Sequence, residues 1–223
     1  MKRVLWILLC IYLLCPQAQA ATPEKLVALT FDDGPSGRFT RRLLEGLQQR
    51  QAVATFLLCG YRMAQYPALT QQIHRQGHEI GLHGYTHDDM SRMTLCQIRK
   101  ELSDTAALLP KGCTVQFLRP PGGKCNQATS QAAEEMGLSM ICWSVDPKDW
   151  RTADTAAIVR QVVTQTRDGD VILLHDMSDS SVDAALQIVD CLQAKGFRFV
   201  TLSQLAKAKQ IALQPGKYYC RFE

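Results

Sequence analysis

The chain has 223 residues, 46% of them hydrophobic, and a formal net charge of +4. This length suffices for one well-filled core, and an α/β barrel of this size is commonly a single domain. So weak a positive charge carries no signature of nucleic-acid binding.

The first twenty residues, MKRVLWILLCIYLLCPQAQA, begin with Lys2 and Arg3, run apolar from Val4 to Leu14 and end in Ala-x-Ala at Ala20. This is the pattern of a secretory signal peptide, and the apolar run is shorter than the roughly 20 residues of a spanning helix. We therefore expect a signal peptide over 1–20 and one domain over 21–223. The expected location is outside the cell membrane, in the extracellular space, cell wall or periplasm, with retention of the segment as an anchor as the alternative. Without this segment 23 basic residues face 21 acidic ones, a net charge of +2. Seven cysteines remain: Cys59, Cys96, Cys113, Cys125, Cys142, Cys191 and Cys220. Export permits disulfides, but an odd number leaves at least one thiol unpaired in a monomer, and no Cys-x-x-Cys pair suggests a cysteine zinc knot.

Seven short apolar runs follow in order: KLVALTFD (Lys25 to Asp32), ATFLLCG (Ala54 to Gly60), EIGLH (Glu79 to His83), QFLRP (Gln116 to Pro120), SMICWSVD (Ser139 to Asp146), DVILLHD (Asp170 to Asp176) and FRFVTL (Phe197 to Leu202). Stretches with helical spacing lie between them, such as TRRLLEGLQQRQ, TLCQIRKELSDTAALL, TAAIVRQVVTQTR and SVDAALQIVDCLQAKG. Strands alternating with such helices predict βαβ units and a parallel sheet, and about seven units in one domain fit a closed or nearly closed barrel better than an open sheet. No Gly-rich phosphate loop follows the first strand, which weakens a nucleotide-binding reading. The C-terminal QPGKYYCRFE is too short for a domain and is expected to pack against the barrel.

Five turns at the carboxyl ends of these strands carry the unusual polar residues. They are Asp32 and Asp33 after the first strand, His83 and His87 after the third, Arg119 beside Pro-Pro-Gly-Gly after the fourth, Asp146, Asp149 and Trp150 after the fifth, and His175 at the end of the sixth. In β/α barrels that rim is where active sites are built. Adjacent carboxylates on a strand face opposite sides, so one of the Asp32–Asp33 pair lies over the core and needs a compensating partner. His83 and His87, four apart, would share a face if their turn is helical, and two imidazoles with a carboxylate such as Asp33 make a common three-ligand set for zinc. The plainer alternative is a pair of surface histidines. Asp32 would then be free to take a proton from water; its alternative role is a turn cap. Arg119 could pair with Asp32 or simply sit on the surface. His175 is a candidate proton donor with Asp149 as its partner, against the alternative of a satisfied core histidine. His74 and His78 read as structural or solvent-facing.

The segments TFDDGP, HGYTH, RPPGG, DPKDW and LLH resemble, in order and spacing, the five motifs of the polysaccharide deacetylases of carbohydrate esterase family 4, the NodB-homology domain. The resemblance covers nearly all of Lys25 to Leu205. It implies an α/β fold, an irregular (β/α)7 barrel, and metal-dependent removal of acetyl groups from N-acetylated or, less often, O-acetylated sugars, with Zn2+ as the cofactor. The substrate expected on this basis is peptidoglycan or a chitin-like oligosaccharide, acted on by a monomer. Carried over by position, Asp32 is the base, Asp33, His83 and His87 hold the metal, Arg119 orients Asp32, Asp149 tunes His175, and His175 is the acid. Trp150 and Leu173 would line the acetyl pocket, and a backbone amide near Gly123 or Cys125 would bind the oxyanion. Two positions depart from the family pattern: Gly84 stands where Ser or Thr is usual, and Gly122 where an aromatic is common. The competing readings are a non-catalytic carbohydrate- or metal-binding module on the same barrel, an esterase removing O-acetyl groups, and a metal-dependent hydrolase of a small non-sugar substrate.

Overall fold

A computed structural model describes residues 24–223. The expected signal peptide at 1–20 lies outside the described residues. Along the chain run β1 (Lys25–Asp32), α1 (Arg38–Gln49), β2 (Thr55–Leu58), α2 (Gly60–Gln65), α3 (Pro67–Arg75), β3 (Glu79–Leu82), α4 (Leu95–Ala106) and β4 (Phe117–Leu118). The second half adds α5 (Gln127–Glu135), β5 (Ser139–Ile141), α6 (Thr155–Gln165), β6 (Val171–His175), α7 (Asp179–Ala194), β7 (Phe197–Phe199), α8 (Leu202–Ala208) and β8 (Tyr218–Tyr219). None of the described helices is long and apolar enough to cross a membrane.

The strands form one curled sheet in the order β6-β1-β2-β3-β4-β5-β8, with β7 also on β1, and every strand pair is parallel. An isolated parallel bridge between Val145 and Ile172 spans the seam between the segment after β5 and β6. The seven expected strands are all present, and the family's irregular barrel is the fold. The C-terminal segment does more than pack: it contributes the eighth strand, pairing Met140 with Tyr218 and Ile141 with Tyr219.

Alternation along β1 explains the layering. Leu26 and Ala28 belong to an inner cluster with Leu57, Phe117, Ile141 and Val171, whereas Val27, Leu29 and Phe31 pack outward against Leu43, Leu44 and Leu47 of α1 and Ile188 and Val189 of α7. The period of two puts Thr30 and Asp32 on the inner face above Ala28. The helices are closed by local side chains: Thr94 with Gln97, Asn126 with Thr129 and Thr201 with Gln204 form reciprocal capping boxes at the starts of α4, α5 and α8. Each satisfies amides that a helix start otherwise leaves unpaired.

The tail is fastened where the chain enters β6. Phe222 is fully buried and its amide donates to the Gly169 carbonyl at 2.9 Å, while Arg221 donates to the buried Asp170 carboxylate at 2.6 Å. Gly169 has φ +85°, and a Cβ there would stand 1.9 Å from the Phe222 carbonyl oxygen. Gly196, with φ +81°, has nothing within 4 Å of the same position. Gly196→Ala is therefore expected to cost only the left-handed backbone strain, about 1–2 kcal/mol. Gly169→Ala should lose about 1–3 kcal/mol more, because the tail must move. Urea unfolding of both variants checks the difference; equal losses would show that the tail does not depend on this approach.

Candidate active site

The site is assembled at the carboxyl ends of the strands by the register of β1 against β6. That register pairs Thr30 with Leu173 and Asp32 with His175, so these four side chains share the inner face. Asp32 is 3% exposed. Asp33, the first residue past the strand, takes φ +71°, which turns its carboxylate toward the same opening.

Arg119 follows β4 and is fully buried. Its Nη1 donates to Asp32 Oδ1 at 2.6 Å and to Thr30 Oγ1 at 2.9 Å, its Nε to the Ile141 carbonyl at 3.2 Å, and its Nη2 to the Cys142 carbonyl at 2.7 Å. Four of the five N–H groups of the guanidinium are thus engaged by strand ends and a single carboxylate, so it is not a surface group. Its own carbonyl lies 2.6 Å from His83 Nδ1. A carbonyl only accepts, so Nδ1 carries the proton and the Nε2 lone pair of a neutral ring faces the cavity.

That nitrogen lies 3.2 Å from Asp33 Oδ1, and His87 Nε2 lies 3.1 Å from the same oxygen. The distances are short, yet neither meets hydrogen-bond geometry, and Asp33 Oδ1 is a buried oxygen without a hydrogen-bond partner. The donor atoms of Asp33, His83 and His87 all lie within 4.8 Å of one another. Two imidazole nitrogens and an orphaned carboxylate oxygen converging on one point fit a divalent cation. Burial opposes ionisation of Asp33, whereas protonated imidazoles beside it would outweigh that and hold its carboxyl well below the usual carboxylate range; with neutral rings the compensating charge is left to a cation. The loop itself is not helical, contrary to one way of bringing the two rings together. Gly84 at φ +79° and His87 at φ +69° reverse the chain instead.

On the opposite flank, Asp149 is 1% exposed and spends both oxygens on one residue. Oδ2 accepts from the His175 amide at 2.9 Å, and Oδ1 lies 2.8 Å from His175 Nδ1. His175 Nε2 is therefore the nitrogen aimed at the cavity, 4.0 Å from Asp33 Oδ2. Burial works against a charged imidazole here, but the Asp149 carboxylate outweighs it and the ring is pushed up to about 9.

These groups surround a cavity of about 400 Å³, floored by Leu173 and walled by Gly122, Trp143 and Trp150. Trp150 is 65% exposed, so it stands at the mouth, where a second recess of about 540 Å³ continues past Met177 and Ser178. Gly123 does not line this cavity. Its amide donates to the Pro120 carbonyl at 2.9 Å and its carbonyl accepts from the Tyr218 hydroxyl at 3.0 Å, so its amide is not available to a substrate oxyanion. Gly122 is the glycine of that turn that faces the cavity. His78 is buried away from the site and accepts from the Ala54 amide at 3.1 Å through Nδ1, a structural role.

Three contributors escaped the motif reading. Thr30 bridges Arg119 and the Ile172 carbonyl, and the inward period of β1 could have found it. Trp143 packs beside the glycine turn, with its ring 5.6 Å from the Arg119 guanidinium carbon; its position two residues beyond β5 was the available signal. Glu101, in the middle of α4, receives the amides of Tyr85 and Thr86, and nothing local to α4 announces it.

A family model described as "Polysaccharide deacetylase" matches residues 19–141. The chain is 37% identical over 192 residues to a peptidoglycan-N-acetylglucosamine deacetylase of Bacillus cereus, covering 83% of this chain and 90% of that protein. It is 34% identical over 198 residues to the peptidoglycan-N-acetylmuramic acid deacetylase PdaC of Bacillus subtilis, covering 87% of this chain but only 42% of that longer protein. Among solved structures, a family 4 acetyl xylan esterase from Clostridium thermocellum in complex with a cobalt ion superposes with a TM-score of 0.82 at 32% identity, over 88% of this chain and 98% of that one. With the barrel, the five rim segments and these likenesses in agreement, the chain belongs to the polysaccharide deacetylase family, carbohydrate esterase family 4.

Proposed function

We propose that this protein is an exported, metal-dependent deacetylase that hydrolyses the N-acetyl group of N-acetylglucosamine units in peptidoglycan or chitin-like oligosaccharides. The observation that best supports it is the pairing of two oppositely equipped groups across one cavity: a carboxylate tied to Arg119 and an imidazole tied to Asp149, flanking the Asp33–His83–His87 cluster. Asp33, His83 and His87 would hold a divalent cation, zinc by the donor set, which when bound polarises a carbonyl and lowers the pKa of water.

The chain's own residues do the rest. Arg119 occupies Asp32 Oδ1, which orients the carboxylate so that its other oxygen accepts a proton from the attacking water as that water's oxygen bonds to the acetyl carbon. The Gly122 amide is the backbone donor we assign to the developing oxyanion, in place of Gly123. His175 holds its proton on Nε2 and gives it to the sugar nitrogen as the carbon–nitrogen bond breaks, releasing acetate and a free amine. Leu173 and Trp150 supply the apolar surface for the acetyl methyl. The names of the relatives support peptidoglycan as the polymer, a substrate consistent with residues 1–20 acting as a signal peptide, and we take the chain to act as a monomer. The complete proton-transfer set weighs against a non-catalytic binding module.

The same site could open an O-acetyl ester, and the Clostridium thermocellum neighbour is an acetyl xylan esterase. Acetate release from N-acetylglucosamine oligomers and from acetylated xylan, measured side by side, distinguishes the two.

Acetate should appear from a short N-acetylglucosamine oligomer with zinc present, and removal of metal by a chelator should abolish it reversibly. Asp32→Asn should reduce kcat by about 10²–10⁴-fold, the usual worth of a general base, while zinc remains bound; turnover near the wild-type rate would remove Asp32 from the mechanism. Because His175 acts in its protonated form, activity is lost as pH rises through its pKa. Asp149→Asn removes the group that raises that pKa, so the alkaline limb of the kcat profile should move to lower pH. A limb that stays in place would exclude His175 as the titrating acid.

A further inference from the structure

The two histidines of the cation cluster are not held alike. His83 is fixed by its Nδ1 bond to the Arg119 carbonyl and is 1% exposed. His87 has no such bond to its second ring nitrogen among the described residues, and its side chain is 43% exposed. Apart from its approaches to Asp33 and to the His83 ring, its position is set by the backbone of residues 84–87.

That backbone is clamped from two sides. The Gly84 carbonyl accepts from the Gly60 amide at 2.9 Å, and the Tyr85 carbonyl accepts from the Tyr61 amide at 3.0 Å, so α2 holds the acceptors. The donors go to a single atom. Glu101 Oε2 accepts the Tyr85 amide at 2.6 Å and the Thr86 amide at 2.9 Å, with the Thr86 hydroxyl 3.2 Å away. Glu101 is placed by the buried face of α4, where Ile98, Leu102 and Thr105 pack in one row. A Cβ at Gly60 would stand 2.3 Å from the Tyr85 ring and 2.7 Å from Thr105 Oγ1, so α2, the loop and α4 meet without slack. The Glu101 carboxylate from α4 is the side-chain anchor of the Tyr85 and Thr86 amides.

We propose that Glu101 is a positioning residue for cation binding, acting through the Tyr85–Thr86 backbone on His87. The inference rests on the metal reading of Asp33, His83 and His87 and adds to it the residue that sets its affinity. An ionised acceptor receiving two amides is stronger than a neutral one, and loss of an outer-shell partner typically costs 10–100-fold in metal affinity.

The test is zinc affinity of the full chain by competition with a chromogenic chelator, with thermal unfolding of the metal-free proteins as the folding control. Glu101→Ala should weaken zinc binding by about 10–100-fold, and Glu101→Gln, which keeps one acceptor oxygen, by roughly threefold to tenfold. If Glu101→Ala does not fold, Glu101→Gln alone decides. Wild-type affinity in a folded Glu101 variant would overturn the positioning role while leaving the metal reading intact. Failure of the wild-type chain to bind zinc would overturn both. Equal losses in the two variants would place the whole effect on the charge of the acceptor.

Discussion

A fully buried arginine organises this molecule. Placing a guanidinium inside a barrel is costly unless each donor finds a partner of good geometry. Arg119 meets that demand by binding the ends of three strands at once: Thr30 and Asp32 on β1, the Ile141 carbonyl at the end of β5 and the Cys142 carbonyl just past it, with its own residue at the end of β4. The strands cannot drift apart at the rim without leaving a buried charge unpaired, a loss of several kcal/mol. Its carbonyl also orients His83. One residue therefore fixes a carboxylate, a histidine tautomer and the spacing of the strands that carry them.

The remaining chemistry follows from keeping unlike tasks apart. Asp32 and Asp33 are adjacent in sequence, yet one lies on the inner face of β1 and the other is turned out by a left-handed backbone. Their neighbours differ accordingly, a guanidinium for the first and two imidazole nitrogens for the second. His175, 4.0 Å from Asp33 Oδ2, is held by its own carboxylate, Asp149, which accepts from its amide and pairs with its Nδ1. Asp32, His83 and His175 are each oriented by a partner that does not compete for the atom facing the cavity.

Much of this was legible in the sequence because it is written in local pattern. The apolar run KLVALTFD matches β1 to the residue, and the polar residues placed at strand ends do meet at one rim. The shorter strands end before their apolar runs do: β4 keeps only Phe117–Leu118 and β5 only Ser139–Ile141, and just past them the Arg119 side chain takes the Cys142 carbonyl at 2.7 Å. The HGYTH spacing singles out His83 and His87, which the structure does bring together, but through a loop reversed at Gly84 and His87, since a spacing of four does not distinguish that loop from a helical turn. Glu101 was illegible for a different reason. On its own helix it is one polar residue among several, and its partners lie 15 and 16 residues earlier. Tyr218 likewise reaches the Gly123 carbonyl from 95 residues away, a contact no local window contains.

The register that sets Asp32 beside His175 also dictates when the site can exist during synthesis. Thr30 and its acceptor Ile172 are 142 residues apart, and the wall near Gly123 is braced by a strand at Tyr218–Tyr219. Closing loops of that length is entropically slow, and nothing is gained until they close. A chain emerging from its amino end carries both aspartates of TFDDGP from the outset, but neither meets its full set of neighbours until nearly the whole polypeptide is available. The constellation is accordingly a property of the finished barrel, and a chain truncated before β6 has Asp32 but not the His175 that the proposed mechanism sets against it.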